Sequence, residues 1–184
     1  EKQLGEGATS RVWLGRHIQL QKMVAIKIIS KQYLQEPGKK QKLITETQIH
    51  KMIRHRHIAQ LFGVTNNFLN HYLIMEYIPN DSLLEKVKLV SHFSEPEAIR
   101  YFIQVLSAVE YLHHVVHVIH RDLKLENIMV DQEFKVKLID FGFAENFNPN
   151  RNETFKAACG SPRLYIFYFC FHFVNFFRFR KKKS

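Results

Sequence analysis

Cysteine is scarce. Of the 184 residues only Cys159 and Cys170 are cysteines, too few and too isolated for a zinc-binding spacing or a disulfide framework, which fits a reducing, cytoplasmic setting. No apolar run reaches bilayer length: Leu164 to Phe177 spans 14 residues and includes His172 and Asn175, against the roughly 20 that a spanning helix needs. Internal repeats and long linkers are missing, and so is an initiating Met; the chain opens on EKQLGEG and is expected to be a fragment whose targeting segment, if any, lies outside it. Acids are missing from one end. After Pro162 there are six of the 27 basic residues and no Asp or Glu, which leaves only +4 of the formal +10 to residues 1–162. The basicity that would suggest a nucleic-acid partner is therefore concentrated in a tail, and the body lacks a basic stripe interleaved with aromatics.

The composition is that of a globular protein, with 46% apolar and 24% charged residues. Short β-branched runs at Ser10 to Leu14 and Met23 to Ile29 predict a hairpin. After the Pro37-Gly38 break, Leu43, Ile44, Ile49, Met52 and Ile53 recur at helical intervals across Lys40 to Ile53. A strand pair is predicted at Ala59 to Val64 and Tyr72 to Tyr77, followed by a joint, IPNDS, at Ile78 to Ser82. From Ser94 the character turns helical. Ser94 and Glu97 have capping-box spacing, and Ala98, Ile99, Phe102, Val105, Leu106, Val109 and Leu112 repeat at three- and four-residue steps. The order of two strands, a helix, two strands and then a helical part gives an α+β fold.

Four motifs are spread along this frame. GEGATS, Gly5 to Ser10, is ambiguous alone, since a short glycine run is often only a turn. VAIK, Val24 to Lys27, lies on a predicted strand; HRDLKLEN, His120 to Asn127, follows the long helix; DFG, Asp140 to Gly142, follows the apolar VKLI. Their order and setting resemble those of a protein kinase domain. HRDLKLEN, with Lys124 two residues after the aspartate, is similar to the serine/threonine type, and CGSP (Cys159 to Pro162) with LIMEYIP is similar to the calcium/calmodulin-dependent and AMP-activated branch.

The resemblance implies a bilobal fold, with a β-rich N-lobe over about 1–77, a hinge region at 78–82 and an incomplete, mainly helical C-lobe over 83–162. It implies ATP and Mg²⁺ as cofactors and a protein Ser/Thr hydroxyl as acceptor. Moving a phosphoryl group needs charge neutralisation and in-line positioning more than covalent help. By resemblance Lys27 holds the α- and β-phosphates, Glu46 is its helix partner, and Asp122 takes the hydroxyl proton with Lys124 beside the transferring phosphate. Asn127 and Asp140 are the metal ligands implied. Gly5, Gly7 and Val12 are similar to the loop over the phosphates, with Ser10 in place of its third glycine, a strained substitution if that position needs φ > 0. Val12, Ala25, Met75 and Met129 would sandwich adenine, and the backbone of Glu76 to Ile78 would meet its edge.

Departures from the family pattern temper the expected activity. Ala157 stands where the branch carries a phosphorylated Thr that would engage Arg121, which removes that switch unless Thr154 substitutes. His50 stands where an aliphatic residue packs toward Leu61 and Phe141, so its ring must find a polar partner. No Ala-Pro-Glu phrase follows CGSP; the chain runs into a Phe-rich, basic stretch over 163–184 that is expected to be a non-native terminus. Weak or absent phosphotransfer is therefore expected, with a catalytically dead nucleotide-binding or regulatory fragment as the alternative. Membrane adsorption through the aromatic and basic end is a third, less favoured role, and nucleic-acid binding is weaker still.

Overall fold

The structure, a computed structural model, describes residues 2–7, 10–19 and 21–148. β-branched and aromatic residues build its first layer, an antiparallel sheet of β1 (Gln3–Glu6), β2 (Ser10–His17), β3 (Lys22–Ser30), β4 (Leu61–Asn66) and β5 (Asn70–Glu76) in the order β1-β2-β3-β5-β4. Strand β1 lies outside the predicted pair, so three strands rather than two precede the first helix. GEGATS runs from the end of β1 to the start of β2: Gly5 lies opposite Val12, Glu6 opposite Arg11, and the Gly7 N–H donates to the Ser10 carbonyl at 2.8 Å.

Register fixes which side chains share a face. Val12 lies opposite Lys27, Lys27 opposite Leu73, and Ala25 opposite Met75. Opposed residues in antiparallel strands point the same way and alternate residues return to that side. Val12, Ala25, Lys27 and Met75 therefore line one face of the sheet.

Helix α1 (Lys39–Met52) begins at Gly38, whose φ of 77° is readily reached only without a Cβ. It turns Leu43, Glu46, Ile49 and His50 inward, whereas Ile44 and Met52, expected on the same side, are 38% and 52% exposed. Two carbon cores meet along this helix. Leu43 packs with Ile29, Leu61 and Leu73 below the sheet, while Ile49 and Ile53 belong to a larger cluster with Ile58, Leu138 and Phe141.

The second half contains α2 (Leu83–Val90), α3 (Glu95–His114) and two short ladders, β6 (Val118–Ile119) with β9 (Glu145–Asn146) and β7 (Ile128–Val130) with β8 (Val136–Leu138). Helix α2 escaped the periodicity search, although Ser82 caps it by accepting from the Glu85 N–H at 3.3 Å. Ser94 occupies the N-cap of α3 without a side-chain cap bond. Glu97 instead accepts from the Tyr101 hydroxyl at 3.2 Å, so the expected capping box is not made. Ala98, Tyr101, Val105, Ala108 and Leu112 are buried, but Ile99, Ile103 and Leu106 are 46%, 59% and 47% exposed. The periodic residues Ile99 and Leu106 thus do not face the core: α3 is covered on one side only among the described residues. Its apolar spacing continues around the uncovered side. No helix among the described residues is long and apolar enough to cross a membrane.

The two sides of α3 should respond differently to truncation. Leu112→Ala is expected to cost about 2–5 kcal/mol by urea denaturation, and Ile103→Ala no more than about 0.5 kcal/mol.

Candidate functional site

Three elements bring one cation and two carboxylates together. Lys27 projects from β3, Glu46 from the buried side of α1, and Asp140 from the turn after β8. The Lys27 Nζ donates to Glu46 Oε1 at 2.7 Å and to Asp140 Oδ1 at 3.1 Å. Burial alone would lower the lysine pKa, but the two carboxylates outweigh it and raise it above the ordinary range. Burial likewise pushes the Asp140 carboxyl up, and the Lys27 ammonium with the Gly142 N–H brings it below its ordinary value. Both groups are held charged.

Asp140 has φ 60° and Arg121 φ 63°, left-handed backbone that costs a non-glycine residue about 1 kcal/mol or more. Local bonds hold both turns. The Gly142 N–H donates to Asp140 Oδ1 at 3.2 Å, and Arg121 Nε donates to the Phe143 carbonyl at 2.7 Å. Arg121 also forms an ion pair with Glu145. A Cβ on Gly142 would lie 3.2 Å from Asp140 Oδ1 and 3.6 Å from Glu46 Oε2, so a side chain there would crowd both carboxylates.

Asp122 is buried beside this group. Lys124 Nζ lies 3.0 Å from Asp122 Oδ2, and Asn127 Nδ2 donates at 2.8 Å both to that oxygen and to the Asp122 carbonyl. The buried His120 ring bridges the two loops: its Nε2 donates to the Ile139 carbonyl at 3.1 Å and its Nδ1 accepts from the Asp122 N–H at 3.2 Å. That pattern requires the neutral tautomer. Burial keeps the His120 pKa below its ordinary value.

His50 meets its polar need inside the core. Its Nε2 donates to the Ala59 carbonyl at 2.7 Å and its ring packs 4.7 Å from Phe141. The Ala59 carbonyl belongs to a loop fastened to β8, where Ala59 N–H donates to the Leu138 carbonyl, Leu138 N–H to the His57 carbonyl, and His57 Nδ1 to the Val136 carbonyl. The end of α1 is thereby tied to the strand that leads into Asp140.

Of the residues expected at the adenine, Val12, Ala25 and Met75 share the Lys27 side of the sheet, Ile78 is buried after β5, and Met129 is half-buried in β7. The Glu76 N–H is taken by the Gln60 carbonyl at 2.8 Å, which withdraws that donor from a ligand. Ser10 is paired in β2 opposite Ile29 and has no left-handed φ, so the strain expected of it is not incurred. Gly5 and Gly7 also lie outside the left-handed region. Ala157, Thr154, CGSP and the 163–184 stretch lie outside the described residues. Sequence reasoning missed Glu145 as the Arg121 partner and Lys42, whose Nζ sits 3.8 Å from the Phe143 ring centre; neither has a spacing that would have marked it.

Two oxygen-bearing side chains, Asp140 and Asn127, flank the cleft, and no group of three or more His, Cys, Asp or Glu suited to a metal occurs among the described residues. Sparse oxygen donors fit Mg²⁺, which keeps water and takes phosphate oxygens, better than a metal needing a full protein cage. In comparison with known proteins, residues 1–166 match the family described as Protein kinase domain. The chain is 39% identical over 167 residues to the Hormonally up-regulated neu tumor-associated kinase of Mus musculus, covering 88% of this chain and 23% of that protein. It is 40% identical over 162 residues to Serine/threonine-protein kinase SIK2 of Gallus gallus, covering 88% and 20%. It thus spans about a fifth of the length of these curated relatives.

Burial places the pKa values of His50 and His120 below the ordinary value. Below about pH 6.5 the unfolded chain takes up protons that the folded rings refuse, so stability falls as pH drops through that window. His50→Leu is expected to make this loss shallower, measured as the change in urea midpoint between about pH 7.5 and about pH 5.5. At neutral pH the same variant strands the buried Ala59 carbonyl, a cost of about 1–3 kcal/mol partly offset by the apolar side chain.

Proposed function

The chain belongs to the protein kinase domain family, on its serine/threonine side, and from that premise we propose transfer of the terminal phosphoryl group of ATP to serine or threonine hydroxyls of proteins, weakened in this chain, which spans about a fifth of its relatives' length. The observation that carries this is the pair of contacts from Lys27 to Glu46 and Asp140. An ammonium so held needs no reorganisation to receive the α- and β-phosphates. Asp140 and Asn127 would hold magnesium, which would supply neutralisation of the phosphate charge.

The remaining roles belong to side chains of the chain itself. Asp122, fixed by Asn127 and Lys124, orients the acceptor hydroxyl and takes its proton, a task of positioning more than basicity. Lys124 lies where it can balance charge on the transferring group. Val12, Ala25, Met75 and Met129 enclose the base, with the Glu76 carbonyl and the Ile78 backbone at its edge. Gly5 and Gly7 let the β1-β2 bend approach the phosphates. The Arg121-Glu145 ion pair gives the loop after DFG an internal anion where the family uses a phosphate.

A second role, nucleotide binding without transfer, is favoured by the exposed Ile99, Ile103 and Leu106 on α3. That apolar stripe lies on the helix under the catalytic loop. The two roles separate in one experiment on the purified chain with Mg-ATP, γ-labelled, and a degenerate Ser/Thr peptide. Transfer is expected to vanish with a chelator and to fall about 10²–10⁴-fold in Asp122→Asn, while calorimetric Mg-ATP affinity persists. ATP affinity with no labelled peptide establishes the second role, and a folded chain with neither overturns both.

A further inference from the structure

A cavity of about 690 Å³ lies beside the β5 exit and shares only Glu76 and Tyr77 with the stretch placed at the nucleotide. Its polar wall is basic: Lys22, Arg54, Arg56 and Lys137 line it, with Glu76 as the single acid. That acid is already used, since Glu76 Oε1 pairs with Lys137 Nζ at 2.7 Å and Oε2 accepts from the Gln60 N–H at 3.1 Å. The Arg54 guanidinium is held in place by donating from Nη1 to the Ile53 carbonyl at 2.7 Å and the Lys51 carbonyl at 3.2 Å. Neither Lys22 nor Arg56 has a hydrogen bond or ion pair among the described residues. The positive field of Arg56 and Lys137 reaches neighbouring rings: His55 and His57 are held below their ordinary pKa first by burial, then in part by those two cations.

The same cavity has an apolar wall open to solvent. Phe62 is 52% and Met23 43% exposed, and Tyr77 lies beside them. Uncompensated cations next to exposed large side chains form a surface that complements acids flanking an apolar group. The chain's own terminal stretch is excluded by charge, because residues 163–184 contain no acid.

We propose that this groove docks an acidic segment of a partner protein, its carboxylates meeting Lys22, Arg54 and Arg56 and one apolar side chain resting on Met23 and Phe62. The site is independent of phosphoryl transfer. A partner held there leaves the Lys27 cleft open.

The test is fluorescence anisotropy with the whole chain and a labelled peptide pool in which Asp and Glu flank one degenerate apolar position. Saturable binding is expected that Mg-ATP does not displace, that weakens about tenfold or more in Lys22→Glu/Arg56→Glu and in Phe62→Ser, and that Phe62→Leu retains. All three positions are exposed or half-exposed, and circular dichroism of each variant checks the fold. No binding by the pool overturns the proposal, as does binding unchanged by the charge reversals. Equal affinity for a pool with Ala at the apolar position, or for a single-stranded oligonucleotide, also overturns it by showing charge attraction alone.

Discussion

An ammonium placed between two carboxylates, one from a helix and one from a turn in the other half of the molecule, can exist out of water only if both halves are held in register. Desolvating a lysine is unfavourable by itself; here Glu46 and Asp140 reverse the balance. Removing either acid would leave a partly buried charge short of a partner. The sheet, α1 and the loop after β8 are therefore under one electrostatic constraint, and their carbon cores are arranged around it. His50 fits the same scheme: a polar ring in an aliphatic stack is tolerable because it bonds to a carbonyl on the segment that fastens α1 to β8.

Much of this was legible in the chain. Strands with β-branched runs declared themselves, and VAIK, HRDLKLEN and DFG marked the segments that supply Lys27, Asp122 and Asp140. Glu46 was named through the family resemblance as the helix partner of Lys27, and the two side chains meet at 2.7 Å. What stayed hidden has physical causes. Strand β1 contains one glycine and no β-branched residue, so its identity comes from pairing with β2 rather than from propensity. Helix α1 buries Glu46 and His50 on its inner face and leaves Met52 outside, which blurs the hydrophobic period. Ser94 has the residue type of a capping box, yet the Tyr101 hydroxyl takes the glutamate that the motif would have used.

Other partners could not be read from spacing at all. Arg121 is separated by 24 positions from Glu145, and the two meet because β6 pairs with β9. The basic groove near the β5 exit is assembled from four stretches of chain that share no motif. Such sites arise from topology, and a linear pattern carries no trace of them.

Helix α1 is shared between two bodies. Leu43 is embedded under the sheet, whereas Ile49 and Ile53 are packed into the lower half. Glu46 lies between those attachments, and its bond to Lys27 ties the sheet to a helix anchored in both cores. The spacing of that one ion pair is therefore a gauge of how the two halves are set against each other.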